Sequence, residues 1–184
     1  MTAEAMRGAP RRLALALAAA VTAAGLMAAP ATAQQTTNRV EAFRDWSVFT
    51  ADANGPVCWV VTQPQSSVAK RGGKPVQVRR GDIYLTVAVR PQQGVKNEIA
   101  MVAGYPFKDG STVKAEIGSD SFDLFTEGEH AWTYPNDDEQ ILSKMKAGTT
   151  ATFTGESSRG TTTIDRFSLL GFTDALNAAQ SRCK

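Results

Sequence analysis

The sequence predicts an all-β protein: a single immunoglobulin-like β-sandwich with two short helices, near 137–147 and 173–182. Three observations predict it. Past the first 33 residues the chain breaks into roughly nine short β-branched or alternating segments, separated by turn residues at the spacing of a sandwich or barrel. One of them alternates without a break: Ile83, Leu85, Val87 and Val89 share one face, while Tyr84, Thr86 and Ala88 share the other. The composition is ordinary for a globular chain, with 184 residues, 42% hydrophobic and 21% charged, enough for one core and one domain.

The start reads as an address. Arg7, Arg11 and Arg12 precede an Ala- and Leu-rich run from 13 to 31, and Ala31-Thr32-Ala33 is a small-residue cleavage site. Residues 1–33 are therefore expected to be a secretory signal peptide, removed before Gln34. No later run is long and apolar enough to span a bilayer, so no transmembrane anchor is expected after processing. Residues 34–40 are polar and expected to be a flexible N-terminus, leaving 41–184 as the sandwich domain.

The strands follow in order. Residues 42–49 carry Phe43, Trp46, Val48 and Phe49, and Asn54-Gly55 marks a turn because that pair tolerates positive φ. Residues 57–62 read as a buried strand, and 63–81, polar and basic with Gly72, Gly73 and Pro75, as a loop. After 83–89, strands are expected over 98–103, 113–117, 122–125, 130–134, 150–154 and 161–169. Trp46, Trp59 and Trp132 each sit inside a strand pattern and are expected in the core.

Both helices carry start and stop signals. Asn136 is a good N-cap, and Asp137, Asp138 and Glu139 place negative charge in the first turn. Ile141, Leu142 and Met145 form the apolar stripe, and Gly148 ends the helix. In the second helix Leu176, Ala179 and Cys183 fall on one face. In an exported chain two cysteines most often pair. A Cys58–Cys183 disulfide is therefore expected, stapling the last helix to an early strand.

Charge narrows the functions. The chain carries 20 Lys and Arg against 18 Asp and Glu, but Glu4, Arg7, Arg11 and Arg12 account for the excess, so residues 34–184 are neutral overall. A neutral chain is a poor nucleic-acid binder, and no nucleic-acid partner is expected. One His (His130) and two Cys exclude cysteine- or histidine-rich zinc sites.

Residues from about Glu41 to Lys184 resemble the invasion-associated locus B family of exported bacterial proteins. The resemblance rests on Trp46 and Val48, Cys58, Gly104-Tyr105-Pro106-Phe107, and chiefly the stretch from Gly155 to Phe172 (GESSRGTTTIDRFSLLGF), then Thr173-Asp174-Ala175-Leu176 and Cys183. It implies a single β-sandwich domain in the periplasm, secreted or at the cell surface. It also implies a part in host-cell or surface interaction. It transfers no catalytic or ligand residue.

Three constellations carry candidate chemistry. His130 with a carboxylate is the only base for a hydrolytic arrangement, yet no nucleophile-elbow motif accompanies it, so a secreted hydrolase is the alternative rather than the main reading. Between Glu116 and Glu139 lie eight carboxylates and no Lys or Arg, but no calcium-loop motif, and Asp137-Asp138-Glu139 already has a helix-start explanation. Lys70, Arg71, Lys74, Arg79 and Arg80 place five positive charges within eleven residues. They read either as a solvated loop or as anion-binding residues, for an anionic envelope or host-surface ligand or an acidic protein partner. The expectation is a non-enzymatic binding or cell-envelope accessory protein needing no cofactor and no metal.

Overall fold

The computed structural model describes residues 38–184, so the expected signal peptide at 1–33 lies outside the described residues. Strands β1 (Asn38–Phe43), β2 (Trp46–Asp52), β3 (Pro56–Thr62), β4 (Pro64–Arg71) and β5 (Lys74–Pro75) come first. A single 3-10 turn at Pro91–Gln93 separates β6 (Tyr84–Arg90) from β7 (Val95–Val102). Next come β8 (Thr112–Ile117), β9 (Asp120–Glu127), β10 (His130–Thr133) and helix α1 (Asp138–Ala147). The chain closes with β11 (Thr150–Glu156), β12 (Thr162–Ser168) and helix α2 (Phe172–Arg182).

The strands form one antiparallel sheet in the order β1-β2-β3-β6-β7-β10-β9-β8-β11-β12-β4-β5. The all-β, sandwich-like class is as expected. Its two halves are joined edge to edge through the β7–β10 pairing rather than kept as separate sheets. Both halves feed a single core, with Trp46, Val60 and Val87 from one and Val113, Phe153 and Phe167 from the other. The Trp46 indole donates to the Ser168 carbonyl at 3.0 Å, tying β2 to the end of β12. Burying each large side chain of this set contributes roughly 1.5–3 kcal/mol.

Helix α2 covers the inner face of β2 and β3, where Phe172 packs its ring 4.8 Å from that of Trp46. Ala175, Leu176 and Ala179 are buried on that face, and Cys183 caps the helix in a disulfide to Cys58 with Cα atoms 5.9 Å apart. Helix α1 buries the expected stripe, Ile141, Leu142 and Met145, and its first turn holds Asp138 and Glu139. The cap position is Asp137 rather than Asn136, and its side chain makes no capping bond.

The chain departs from expectation in two places. Residues 42–49 are not one strand: Arg44 takes a left-handed turn, φ 52°, so β1 and β2 form a hairpin whose first strand begins at Asn38, within the stretch expected to be flexible. The expected loop over 63–81 contains β4, which pairs with β12 from Lys70↔Thr162 to Pro64↔Phe167. β4 is mostly exposed, so it has no buried side-chain alternation to announce it, and backbone pairing alone makes it a strand.

Candidate functional site

The β4–β5 hairpin turns at Gly72 and Gly73, both left-handed, which ordinary residues adopt only with strain. It carries Arg71 to the turn between β11 and β12. There the Arg71 guanidinium donates from Nε and Nη2 to Thr161 Oγ1, at 3.2 and 2.8 Å. The 158–160 turn is itself fixed: Ser158 N–H donates to the Pro106 carbonyl at 2.9 Å, and Thr161 N–H to Ser157 Oγ at 3.1 Å. That places Arg159, exposed, on the same opening as Arg71 and Arg79.

Arg80 turns inward. Its two terminal nitrogens donate to both oxygens of Asp165 at 2.7 Å each, and Nε to the Ala103 carbonyl at 2.9 Å. The side chains are 8% and 0% exposed, so this is a buried, bidentate pair between the chain after β5 and the middle of β12. The Tyr105 ring lies 4.9 Å from the guanidinium carbon, and its hydroxyl is 2.6 Å from Thr163 Oγ1. Burial raises the Tyr105 hydroxyl above its ordinary 10.0, against the opposing effects of the Thr163 hydrogen bond and the Arg80 charge. Gly81 and Gly104 let the backbones touch beside this pair: the Gly81 N–H donates to the Gly104 carbonyl at 2.8 Å, and a Cβ on Gly104 would meet the Gly81 oxygen at 2.5 Å.

These parts enclose a cleft of about 440 Å³. Arg71, Arg79 and Arg159 line it, Arg80 and Tyr105 form its floor, and Glu129 is its acidic member. With Arg80 neutralised by Asp165, the free charge at the opening is positive. Guanidinium groups present forked donors that match carboxylate, phosphate and sulfate oxygens.

Of the five basic residues singled out by sequence, Arg71, Arg79 and Arg80 line the cleft, while Lys70 and Lys74 lie on the hairpin outside its lining. Arg80 needs correction as a contact residue, because both ends of its guanidinium are already held by Asp165. Arg159 was not singled out: it is far along the chain, and only the β4–β12 pairing brings its turn to the hairpin.

His130 is exposed on the outer face, its ring stacked 5.1 Å from Trp132, and it lines neither this cleft nor the larger groove beside Trp132. The acidic tract is split: Glu116 pairs with Lys114 at 3.0 Å and Asp120 with Lys144 at 2.9 Å, while Glu127, Asp138 and Glu139 line the groove beside Trp132. Among the described residues no three His, Cys, Asp or Glu gather closely enough to hold a metal ion. Trp46 is buried as expected, but Trp59 and Trp132 are corrections: they face outward and are only partly covered, Trp59 stacking on Phe49 at 5.6 Å.

Comparison with solved structures finds the crystal structure of invasion associated protein B from Bartonella henselae. It aligns with a TM-score of 0.54 and 14% identity, over 77% of this chain and 95% of that one, a likeness of fold. Comparison with curated proteins gives no match. The model of the family described as Invasion associated locus B (IalB) protein matches residues 46–180, from the buried Trp46 of β2 into α2. That span holds the cleft and every buried core residue but Cys183, and the chain belongs to the invasion associated locus B family.

Proposed function

We propose that this chain is an exported, non-enzymatic binding protein of the cell envelope, and that its arginine cleft docks an anionic ligand. The single observation that carries the reading is the convergence of Arg71, Arg79 and Arg159 on one opening from segments nearly ninety residues apart, above a floor whose own charge is already paired. The family is not known as one of enzymes, and family and disulfide together suggest an exported chain. No helix among the described residues is long and apolar enough to cross a membrane. An oxidising compartment, periplasmic or outside the cell, suits the disulfide. A ligand there with several anionic groups, on envelope polysaccharide, lipid or a host surface, would meet the guanidinium forks as paired hydrogen bonds.

The test uses dextran sulfate and phosphatidylglycerol vesicles as probes, at low and high salt, with wild type and Arg79→Glu/Arg159→Glu. Both residues are exposed, so the double reversal leaves the core alone. Charged contacts are screened over about 8 Å at physiological salt, so binding should weaken steeply as salt rises, mostly through a slower on-rate. The reversal should abolish it. Affinity indifferent to both salt and reversal overturns the reading.

A further inference from the structure

A second opening, larger than the cleft, lies on the outer face between the start of β7, the β9–β10 hairpin and α1. Its volume is about 760 Å³, within the range of roughly 300–1,000 Å³ usual for ligand sites. One wall is aromatic. Phe125 and Trp132 are directly paired across β9 and β10 with ring centroids 5.7 Å apart. Outside the groove lining, the same row of rings continues to Tyr134, 5.3 Å from Phe125, and to His130 on the other side of Trp132. Phe125 remains 36% exposed and Trp132 is only partly covered, so the two rings pack against each other and leave apolar surface open to a partner.

Four carboxylates also line it. Glu127 comes from β9, Asp138 and Glu139 from the first turn of α1, and Glu98 from β7. Glu98 is paired to Arg90 at 2.8 Å, and Asp138 accepts a hydrogen bond from the Thr133 hydroxyl. Lys96 is the one basic member of the lining, so the groove is negative. Burial raises the Asp138 carboxyl above its ordinary 3.8.

We infer that this groove binds a short basic segment of a partner protein, with Lys or Arg stems against the Trp132 and Phe125 rings and their charges at Glu127 and Glu139. The chemistry selects this occupant in three steps. An uncharged saccharide would use the rings but draw nothing from the net negative field, whereas cations are concentrated by it. Long basic side chains lay their hydrocarbon stems on apolar surface while keeping the charged end in water, and a cation near an aromatic face gains further. A single small cation would meet one carboxylate, but here the carboxylates come from β7, β9 and α1, on different sides of an open groove, which suits several linked charges. This site shares no lining residue with the arginine cleft, so it stands or falls separately from the function proposed above.

The probe is a short fluorescein-labelled peptide of alternating Arg and Ser, measured by anisotropy against the full chain. The matched peptide carries citrulline in place of Arg. Expected is salt-sensitive binding of the Arg peptide, at least about tenfold weaker for the citrulline peptide and for Glu127→Gln/Glu139→Gln, with Trp132→Ala similarly impaired. The two glutamates are exposed, so their variant keeps the test valid if Trp132→Ala folds poorly. Equal affinity for both peptides, or no effect of the glutamine variant, overturns the inference. So does full competition by tetramethylammonium at the peptide's own concentration, which would mean a small-cation site. Binding of a neutral oligosaccharide in place of the peptide overturns it too, as does self-association of the chain that is lost in the glutamine variant.

Discussion

The arginine cleft and the acidic groove carry opposite charge on one domain, and the β9–β10 hairpin supplies Glu129 to the first and Glu127 to the second. They are built differently. The cleft stands on a buried floor, where Arg80, Asp165, Tyr105 and Thr163 are locked together, and only its rim is free to contact a ligand. The groove has no such floor: its two rings and Glu127 stand on the outer face of strands whose other face forms the core, and Asp138 and Glu139 stand on the first turn of α1. Charge that is paired beneath a surface holds the fold, and charge left unpaired on a surface is available for recognition. The same residue type serves both purposes in adjacent positions, Arg79 outward and Arg80 inward.

The largest expected effect tests the framework both sites share. Replacing Cys58 and Cys183 with Ser opens a link across 125 residues and should cost on the order of 5 kcal/mol, read by urea unfolding of the oxidised and mutant proteins. It should also loosen the groove before the cleft, because Gln180 near the end of α2 donates to Asn97 of the groove lining at 2.7 Å. Next in size, Arg80→Ala leaves Asp165 charged and buried without its partner and should destabilise by about 3–5 kcal/mol, again by chemical denaturation.

The two regions should also separate by pH. Tyr105 in the cleft floor and Asp138 in the groove both have pKa values raised chiefly by burial. In each case the native state holds its proton more tightly than the unfolded chain, so the stabilising contribution is complete below the ordinary value and is lost as pH rises through the folded one. For Asp138 that loss begins above 3.8, and for Tyr105 above 10.0. Stability measured against pH should therefore lose its acid-side component in Asp138→Asn and its alkaline component in Tyr105→Phe. The smallest effect belongs to Arg79→Ala, which should change stability by no more than about 0.5 kcal/mol while weakening anion binding, the reverse of its neighbour Arg80.

The sequence shows some of this architecture and conceals the rest for physical reasons. Alternation in 83–89 and the helical face of Leu176, Ala179 and Cys183 were legible because each buries one face against the core, and burial imposes periodicity. Strand β4 imposes none, since its side chains are mostly exposed and only its backbone is committed. The β1–β2 turn was equally silent, because Arg44 rather than a glycine takes the left-handed conformation. The tryptophans carried a usable signal: if Cys58 faces inward to reach Cys183, its neighbour Trp59 must face out. Arg159 had no local mark at all. Its place in the cleft is a product of which strands pair, and the inward turn of Arg80 depends on an aspartate that lies on β12.

The most direct test of two independent, oppositely charged sites is a crossed binding measurement on one set of proteins. Dextran sulfate and the Arg-Ser peptide are each titrated into wild type, Arg79→Glu/Arg159→Glu and Glu127→Gln/Glu139→Gln. The account predicts that the arginine reversal abolishes dextran sulfate binding and spares the peptide, and that the glutamine variant weakens the peptide at least about tenfold and spares dextran sulfate. If either variant changes both affinities alike, or neither changes any, the charges act only through the overall field or as solvated surface, and the two-site account is contradicted.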